Sequence, residues 1–237
     1  MSKTAIVTGA SSGIGEAISK MLCEEGYEVY GIGRDFSNSE IAGKEQPATE
    51  NYYPVICDLL DTALLLETVK KIRESGEISL LVNNAGVGYY GLHEELNPRK
   101  IQQMVRTNLE VPMILTQTFL RDLKKQRGTI INISSVTAGK SNPHGCAYGA
   151  TKAGLSSFSE SLFDETRKYG VRVINIQPDM TKTNLYRHAN FCEGEEEESY
   201  LVPEEVADTI RYFLSQREGV VATNLTLRPQ IHRIQKK

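Results

Sequence analysis

Residues 7–18 read VTGASSGIGEAI, and Gly9, Gly13 and Gly15 within them are spaced G-x-x-x-G-x-G. The stretch before them, TAIVTG at 4–9, reads as a buried strand, and GIGEAISKMLCEEG at 13–26 reads as a helix. A strand that turns through glycines straight into a helix lets the backbone approach a ligand closely. It also aims a helix N-terminus, with its unpaired N–H groups and positive dipole end, at whatever sits there, and a pyrophosphate suits that place. Glycines alone would also serve a plain tight turn, so the surroundings decide.

Outward from this turn, strand-like and helix-like segments alternate. Further strand candidates are YEVYGIG (27–33), YYPVIC (52–57), ISLLVNN (78–84), GTIINIS (128–134), VRVINIQ (171–177) and GVVATNLTL (219–227). Several are near-continuous apolar runs, as in strands covered by helices on both faces. DTALLLETVKKIRESG (61–76), PRKIQQMVRTNLEVPMILTQTFL (98–120) and PEEVADTIRYFLSQ (203–216) read as helices. The alternation predicts an α/β chain: one Rossmann-type domain over 1–237, with a doubly wound parallel sheet of about seven strands and helices on both faces.

Two segments break the rhythm. Residues 34–51, RDFSNSEIAGKEQPATEN, are polar and hold at most a short helix, while residues 179–202 form a long connection. A connection of that length in a compact domain reads as an active-site lid. Its acidic run, Glu195 to Glu198, reads as a solvated face.

Composition narrows the function classes. Hydrophobic residues make up 40% of 237, enough for a substantial core, and the formal charge of −3 leaves no electrostatic footprint for nucleic acid. No apolar run reaches membrane-spanning length, and the opening MSKTAIVTGA carries no secretory leader. The cysteines (23, 57, 146, 192) and histidines (93, 144, 188, 232) are dispersed without metal-site spacing. The expectation is a cytoplasmic protein with no metal, no membrane and no nucleic-acid partner.

The end of the second strand bears on the cofactor. An NAD-binding site commonly has a carboxylate there for the adenosine ribose 2′-hydroxyl. Here Gly33 stands at that position, eighteen residues beyond Gly15, and Arg34 follows. A guanidinium can hold a 2′-phosphate through charge and its fork of donors, so NADP(H) is favoured. Asp35 could neutralise Arg34 or reach a ribose itself, which keeps NAD(H) possible.

Residues 147–155, AYGATKAGL, put Tyr148 and Lys152 one helical turn apart with only small residues between. A free phenol, with a pKa of about 10, is a poor acid–base group near neutrality, and a close ammonium can lower such a value by roughly 1–3 units. The pair therefore predicts an acidified tyrosine.

With TGASSGIG (8–15), NNAG (83–86), NISS (132–135) and YGATK (148–152) in order, the chain resembles the short-chain dehydrogenase/reductases over almost its whole length. That resemblance implies hydride transfer between a nicotinamide cofactor and a small alcohol/carbonyl substrate. It implies a catalytic group of Asn108, Ser135, Tyr148 and Lys152, with Ser135 chosen over Ser134 because the family's serine lies thirteen residues before the tyrosine. Ser134 would face the other side of the strand and simply pack. Gly9, Ser11, Ser12, Gly13, Ile14 and Gly15 would cradle the cofactor, Asp58 with Leu59 would meet the adenine, and Asn84, Ala85 and Gly86 would pack beside the cofactor and steady the central strands. Tyr148 and Lys152 would also touch the cofactor, Lys152 through the nicotinamide ribose. Thr181 and Thr183 would reach its carboxamide and pyrophosphate, although Asp179 replaces the glycine the family commonly has in P-G-x-x-x-T. Pro112 lacks the N–H that the Asn108 carbonyl would take in a helix, so either a proton-relay water uses that carbonyl or the helix tolerates a kink.

Substrate information should lie in residues 87–95, 136–146 and the lid. The polar and aromatic candidates are Tyr89, Tyr90, His93, His144, Tyr186, Arg187, His188 and Phe191. Of these Tyr186 joins Ser135 and Tyr148 in the expected substrate site, and Arg187 could pair with a carboxylate. The ending VVATNLTLRPQIHRIQKK (220–237) lacks the G…DGG pattern of 3-oxoacyl-carrier-protein reductases and looks more like the branch with 3-hydroxy acid and serine dehydrogenases. Hydroxysteroid and acyl-carrier-protein substrates stay open, and so does a non-catalytic NADP(H)-sensing scaffold. The resemblance also implies a homodimer or homotetramer.

Overall fold

The computed structural model describes residues 3–43 and 49–237. Seven strands are β1 (Lys3–Thr8), β2 (Tyr27–Gly33), β3 (Tyr52–Ile56), β4 (Ile78–Asn83), β5 (Thr129–Ile133), β6 (Arg172–Pro178) and, late in the chain, Asn224–Leu227. Between β6 and that last strand lies a short one, β7 (Phe191–Glu193), so Asn224–Leu227 is β8; it is followed by β9 (Ile234–Lys236). The main sheet runs β3-β2-β1-β4-β5-β6-β8, with every neighbouring pair parallel. The helices are α1 (Gly13–Glu24), α2 (Thr62–Ser75), α3 (Pro98–Val105), α4 (Val111–Gln126), α5 (Cys146–Thr166) and α6 (Pro203–Leu214). This is the Rossmann-type arrangement expected.

Alternation along the strands sorts the apolar side chains into two cores. Ala5, Val7, Leu80, Val82, Ile131 and Ile174 pack with Ile18 and Leu22 of α1 and Val206 and Ile210 of α6. Ile6, Leu81, Ile130 and Val173 face the other way, onto Leu65 and Val69 of α2, Leu115 and Phe119 of α4 and Leu162 of α5. The strand order reverses between β1 and β4, which opens a crevice at their carboxyl ends, the place where open α/β sheets bind ligands.

The β2–β3 crossover has no helix among its described residues. Glu16 of α1 holds it instead: one carboxylate oxygen accepts from the Ser39 hydroxyl (2.6 Å) and the Glu40 N–H (2.7 Å), and Phe36, Ile41 and Ala42 are buried. Residues 44–48 of that polar segment lie outside the described residues. The long helical stretch at 98–120 is divided by a π-turn, Arg106–Glu110, in which the Val111 N–H reaches back to the Arg106 carbonyl. β8 is shorter than the apolar run 219–227 suggested, starting only at Asn224.

Four asparagines lie side by side across the sheet: Asn83, Asn132, Asn175 and Asn224 are register partners on β4, β5, β6 and β8. The Asn83 amide donates to Asn132 (2.8 Å), Asn132 donates to Ser159 of α5 (2.8 Å), and Asn175 donates to Ser156 of α5 (3.0 Å) and to Asn224 (2.7 Å). Asn83, Asn132 and Asn175 are buried, where a polar group is costly unless paired, and the bonds to Ser156 and Ser159 specify one placement of α5 on the sheet.

The 179–202 connection carries short turns and β7, which pairs antiparallel with β9 in the register Phe191↔Lys236. Ile231 N–H donates to the Glu198 carbonyl (2.9 Å), and the Lys237 ammonium donates to the Tyr186 carbonyl (2.7 Å). Residues 231–237 thus run along this connection as a strap. Three-residue strands are too short to show a period-2 pattern, which is why the sequence did not reveal them.

Candidate active site

The glycine turn closes the crevice at its floor. Gly9 has φ of +66°, and a Cβ there would stand 2.9 Å from the Ala85 Cα; a Cβ on Gly15 would stand 2.2 Å from the Gly9 carbonyl oxygen. A side chain at Gly9 would press the turn away from the end of β4, and one at Gly15 would push α1 off the Gly9 turn and the Asn84 amide. The two elements are laced by Thr8, whose hydroxyl accepts from the Asn84 and Ala85 N–H groups (3.0 Å each), and by the Asn84 amide, which donates to the Thr8 carbonyl (2.9 Å). Sequence reasoning missed Thr8; its place just ahead of the glycines is the available signal.

Into this crevice the fold brings Gly9, Ser11, Ser12, Gly13, Ile14, Arg34, Asp58, Leu59, Asn84, Ala85, Gly86, Ser135, Tyr148, Lys152, Thr181, Thr183 and Tyr186, all lining one cavity. Gly15 and Asn108 sit just behind it. At the second-strand end, a Cβ on Gly33 would meet Phe36 at 2.9 Å and the Ser11 Cβ at 3.1 Å, so a carboxylate does not fit there. Asp35 is turned into its own turn: its carboxylate accepts from the Ser37 N–H at 2.8 Å, and that bond holds it below the usual carboxylate range. Arg34 lines the cavity and Asp35 does not. Asp58 accepts from the Leu60 N–H (3.0 Å), and Arg106 donates to the Leu60 carbonyl (2.6 Å) and so steadies that wall.

Ser135, Tyr148 and Lys152 are buried together deep in the cleft. The Ser135 hydroxyl stands near the Tyr148 phenol and favours its ionised form. The Lys152 ammonium donates to the Ile133 carbonyl at 2.7 Å and lies 5.9 Å from the centre of the Tyr148 ring. The acidified tyrosine expected from the sequence is not what this geometry holds. Burial pushes the phenol up to about 12 against the pull of Ser135, and burial draws Lys152 down to about 8. Desolvation outweighs the pair attraction because the ammonium is turned toward a carbonyl.

Asn108 is fully buried and uses its side chain to brace the site: its Oδ1 accepts from the Val87 N–H (2.9 Å), and its amide donates to the Val87 carbonyl (2.9 Å) and to Thr151 (3.0 Å). Thr151 in turn donates to the Tyr148 carbonyl (2.7 Å), a second residue not foreseen, although it lies within the Tyr148–Lys152 turn. Ser134 does more than pack: it donates to the Lys152 carbonyl (2.9 Å) and shares a hydrogen bond with Ser156 (2.9 Å), so it anchors α5 on β5.

Asp179 takes the glycine position of the family pattern without left-handed backbone. Its N–H donates to the Leu227 carbonyl (2.9 Å), and its carboxylate faces Lys140 at 3.8 Å. The two loops expected to read substrate meet where the Gly91 N–H donates to the His144 carbonyl (2.8 Å). Arg187, at the exposed rim, donates to His188 (3.1 Å) and to the Asn184 carbonyl (3.0 Å). Among the described residues no cluster has the makings of a metal site, and no helix is long and apolar enough to cross a membrane.

The comparisons agree with this geometry. The sequence model of the short chain dehydrogenase family matches residues 3–191. An uncharacterized oxidoreductase of Staphylococcus epidermidis is 32% identical over 96% of this chain and 97% of its own. Serine 3-dehydrogenase of Agrobacterium fabrum is 30% identical, covering 97% and 94%. The structure of an alcohol dehydrogenase from the archaeon Thermococcus sibiricus, complexed with 5-hydroxy-NADP, superposes with a TM-score of 0.85 at 26% identity over 98% of both chains. A glycine turn at the sheet's switch point, a buried serine–tyrosine–lysine group and a family match over most of the length lead to one assignment: the chain belongs to the short-chain dehydrogenases, oxidoreductases acting on CH–OH groups.

Proposed function

We propose that this protein interconverts a small alcohol and its carbonyl with NADP(H), using Ser135, Tyr148, Lys152 and Asn108. The observation that carries the reading is the burial of Ser135, Tyr148 and Lys152 together at the floor of the glycine-turn cleft. The cleft fits a dinucleotide: Gly9 and Gly13 expose bare backbone with φ of +66° and +57°, and α1 begins at Gly13. Gly9, Ser11, Ser12, Gly13, Ile14, Gly15, Asn84, Ala85, Gly86, Thr181 and Thr183 would hold it, with Asp58 and Leu59 at the adenine. When bound, the nicotinamide gives or takes the hydride at the carbinol carbon.

This chain's own residues handle the oxygen and its proton. Ser135 donates a hydrogen bond to the substrate oxygen, and Tyr148 gives its phenolic proton to that oxygen during reduction or takes it during oxidation. A phenol held near 12 keeps its proton at neutral pH, the form reduction requires. The Lys152 ammonium, swung from the Ile133 carbonyl toward the phenol and the nicotinamide ribose, stabilises the phenolate left behind. The Asn108 carbonyl, deprived by Pro112 of its usual donor, holds a water that returns the proton. The 179–202 connection serves as the lid and brings Tyr186 to the substrate.

Because Lys152 titrates near 8 and the phenol far above it, Lys152 sets the basic limb. Its charge is present below that pH and lost above it, so kcat/KM for reduction falls as pH rises through about 8. Lys152→Arg, whose guanidinium stays charged, abolishes the limb in whatever activity remains.

NADP(H) rather than NAD(H) is supported by Arg34 in the cavity wall, by the absence of room for a carboxylate at Gly33 and by the commitment of Asp35 to Ser37. Loss of a charge-assisted contact costs about 1.5–3 kcal/mol, or roughly 10–150-fold. Arg34→Ala should weaken NADPH binding by that factor and leave NADH unchanged, measured by nicotinamide fluorescence. Wild-type protein that binds NADH as tightly as NADPH would overturn the assignment. We further propose a cytoplasmic location and a homodimer or homotetramer paired through α4 and α5, the pairing supported by the exposure of Met113 on α4 and of Val105 at the end of α3.

A further inference from the structure

We propose that the substrate is an uncharged carbonyl compound carrying an aryl or bulky alkyl group beside the reacting carbon, and that Tyr90, Tyr186 and Phe191 read that group. This rests on the hydride-transfer reading above. The ring of Tyr90 lies 5.6 Å from that of Tyr148, 6.0 Å from Tyr186 and 5.0 Å from Phe191, and Tyr186 and Phe191 are 5.4 Å apart. Tyr148 and Tyr186 line the cavity, and Tyr90 and Phe191 are in ring contact with them, so a carbonyl oxygen seated between Ser135 and Tyr148 has this aromatic cluster beside its substituents. The wall is built deliberately. A Cβ on Gly88 would stand 2.9 Å from the Tyr90 ring, so bare backbone makes its room, and Phe191 is fixed by the β7–β9 pairing to the 231–237 strap.

The charges around the wall argue against a carboxylate. Burial above all, then the neighbouring Tyr148 phenol, Asp179 and Glu193, push the Tyr186 phenol above its usual range. The neighbouring cations are committed elsewhere: Arg187 to His188 and the Asn184 carbonyl, Lys237 to the Tyr186 carbonyl, Lys140 to Asp179. Arg187 lines the cavity at its rim, so an anionic substituent would have to draw that guanidinium away from His188 and the Asn184 carbonyl while standing against rings and the Asp179 carboxylate.

The test uses a matched pair with the same keto group, 2-oxo-4-phenylbutyrate and its ethyl ester. Calorimetry on the protein saturated with NADP+ reads binding, and NADPH oxidation reads turnover separately. The ester is expected to bind at least ten-fold tighter than the acid. Tyr90→Ala and Phe191→Ala should each weaken ester binding about ten-fold, whereas Tyr90→Phe and Phe191→Leu should retain most of it. Equal or tighter binding of the acid, above all if Arg187→Ala removes that advantage, would overturn the proposal, and the wild-type pair alone decides it if the alanine variants do not fold. Ester that binds tightly without being reduced would sink the hydride-transfer reading and leave the specificity of the wall standing.

Discussion

Tyr148→Phe is expected to lower kcat for carbonyl reduction by about 10²–10⁴-fold, the range of general acid catalysis, while leaving cofactor affinity within about two-fold. The substitution removes one oxygen from a ring already packed against Tyr90 and buried at 4% exposure, so the site keeps its shape. It removes the proton that Tyr148 gives to the substrate oxygen and leaves the Ser135 hydrogen bond to that oxygen in place. Lys152→Met should fall as far for a different reason, since the phenolate then forms without its cation. The two losses together should be far less than additive, because both disable the same proton transfer. Steady-state rates and NADPH fluorescence titrations of the three variants check each part.

The largest effect on stability is expected away from the chemistry, at Asn132. Its carboxamide accepts from Asn83 and donates to Ser159, and all three residues are buried. Asn132→Leu removes both bonds while keeping the branching and heavy-atom count of the side chain. The Asn83 amide then has no partner in the core, where its Oδ1 already has none. Each unsatisfied group costs about 1–3 kcal/mol, so the variant should lose roughly 2–4 kcal/mol and about 5–15 °C in Tm. The double variant Asn83→Leu with Asn132→Leu should recover at least half of that loss, because an apolar pair replaces a broken polar one. A double variant less stable than the single would show that the row is not a pairwise structure.

The fold was legible because its signals are local. Apolar runs such as VRVINIQ and ISLLVNN need no partner to read as covered strands, and the glycine turn marks where β1 meets α1. The site was legible for the same reason, since each motif sits at the end of one strand or on one helix, and the switch point gathers those ends. What escaped depends on distant pairs. The asparagine row is four single residues from four segments, and only the register reveals them as neighbours. The direction of the Tyr148 shift escaped too: helical spacing brings Lys152 near the phenol, but desolvation and the Ile133 carbonyl decide the balance. The strap at 231–237 meets Phe191 and Tyr186 across about forty-five to fifty residues of chain, a pairing no local pattern announces.

The central claim is that the cleft holds a nicotinamide cofactor and a carbonyl close enough for direct hydride transfer, with Tyr148 supplying the proton. It is tested most directly by incubating the protein with NADPH deuterated at the reactive C4 position and ethyl 2-oxo-4-phenylbutyrate, then locating the label by mass spectrometry. The account predicts one deuterium on the carbinol carbon of the product from wild-type protein and none above background from Tyr148→Phe in the same interval. Alcohol formed without label in either C4 epimer of the cofactor, or equal labelling by Tyr148→Phe, would contradict it.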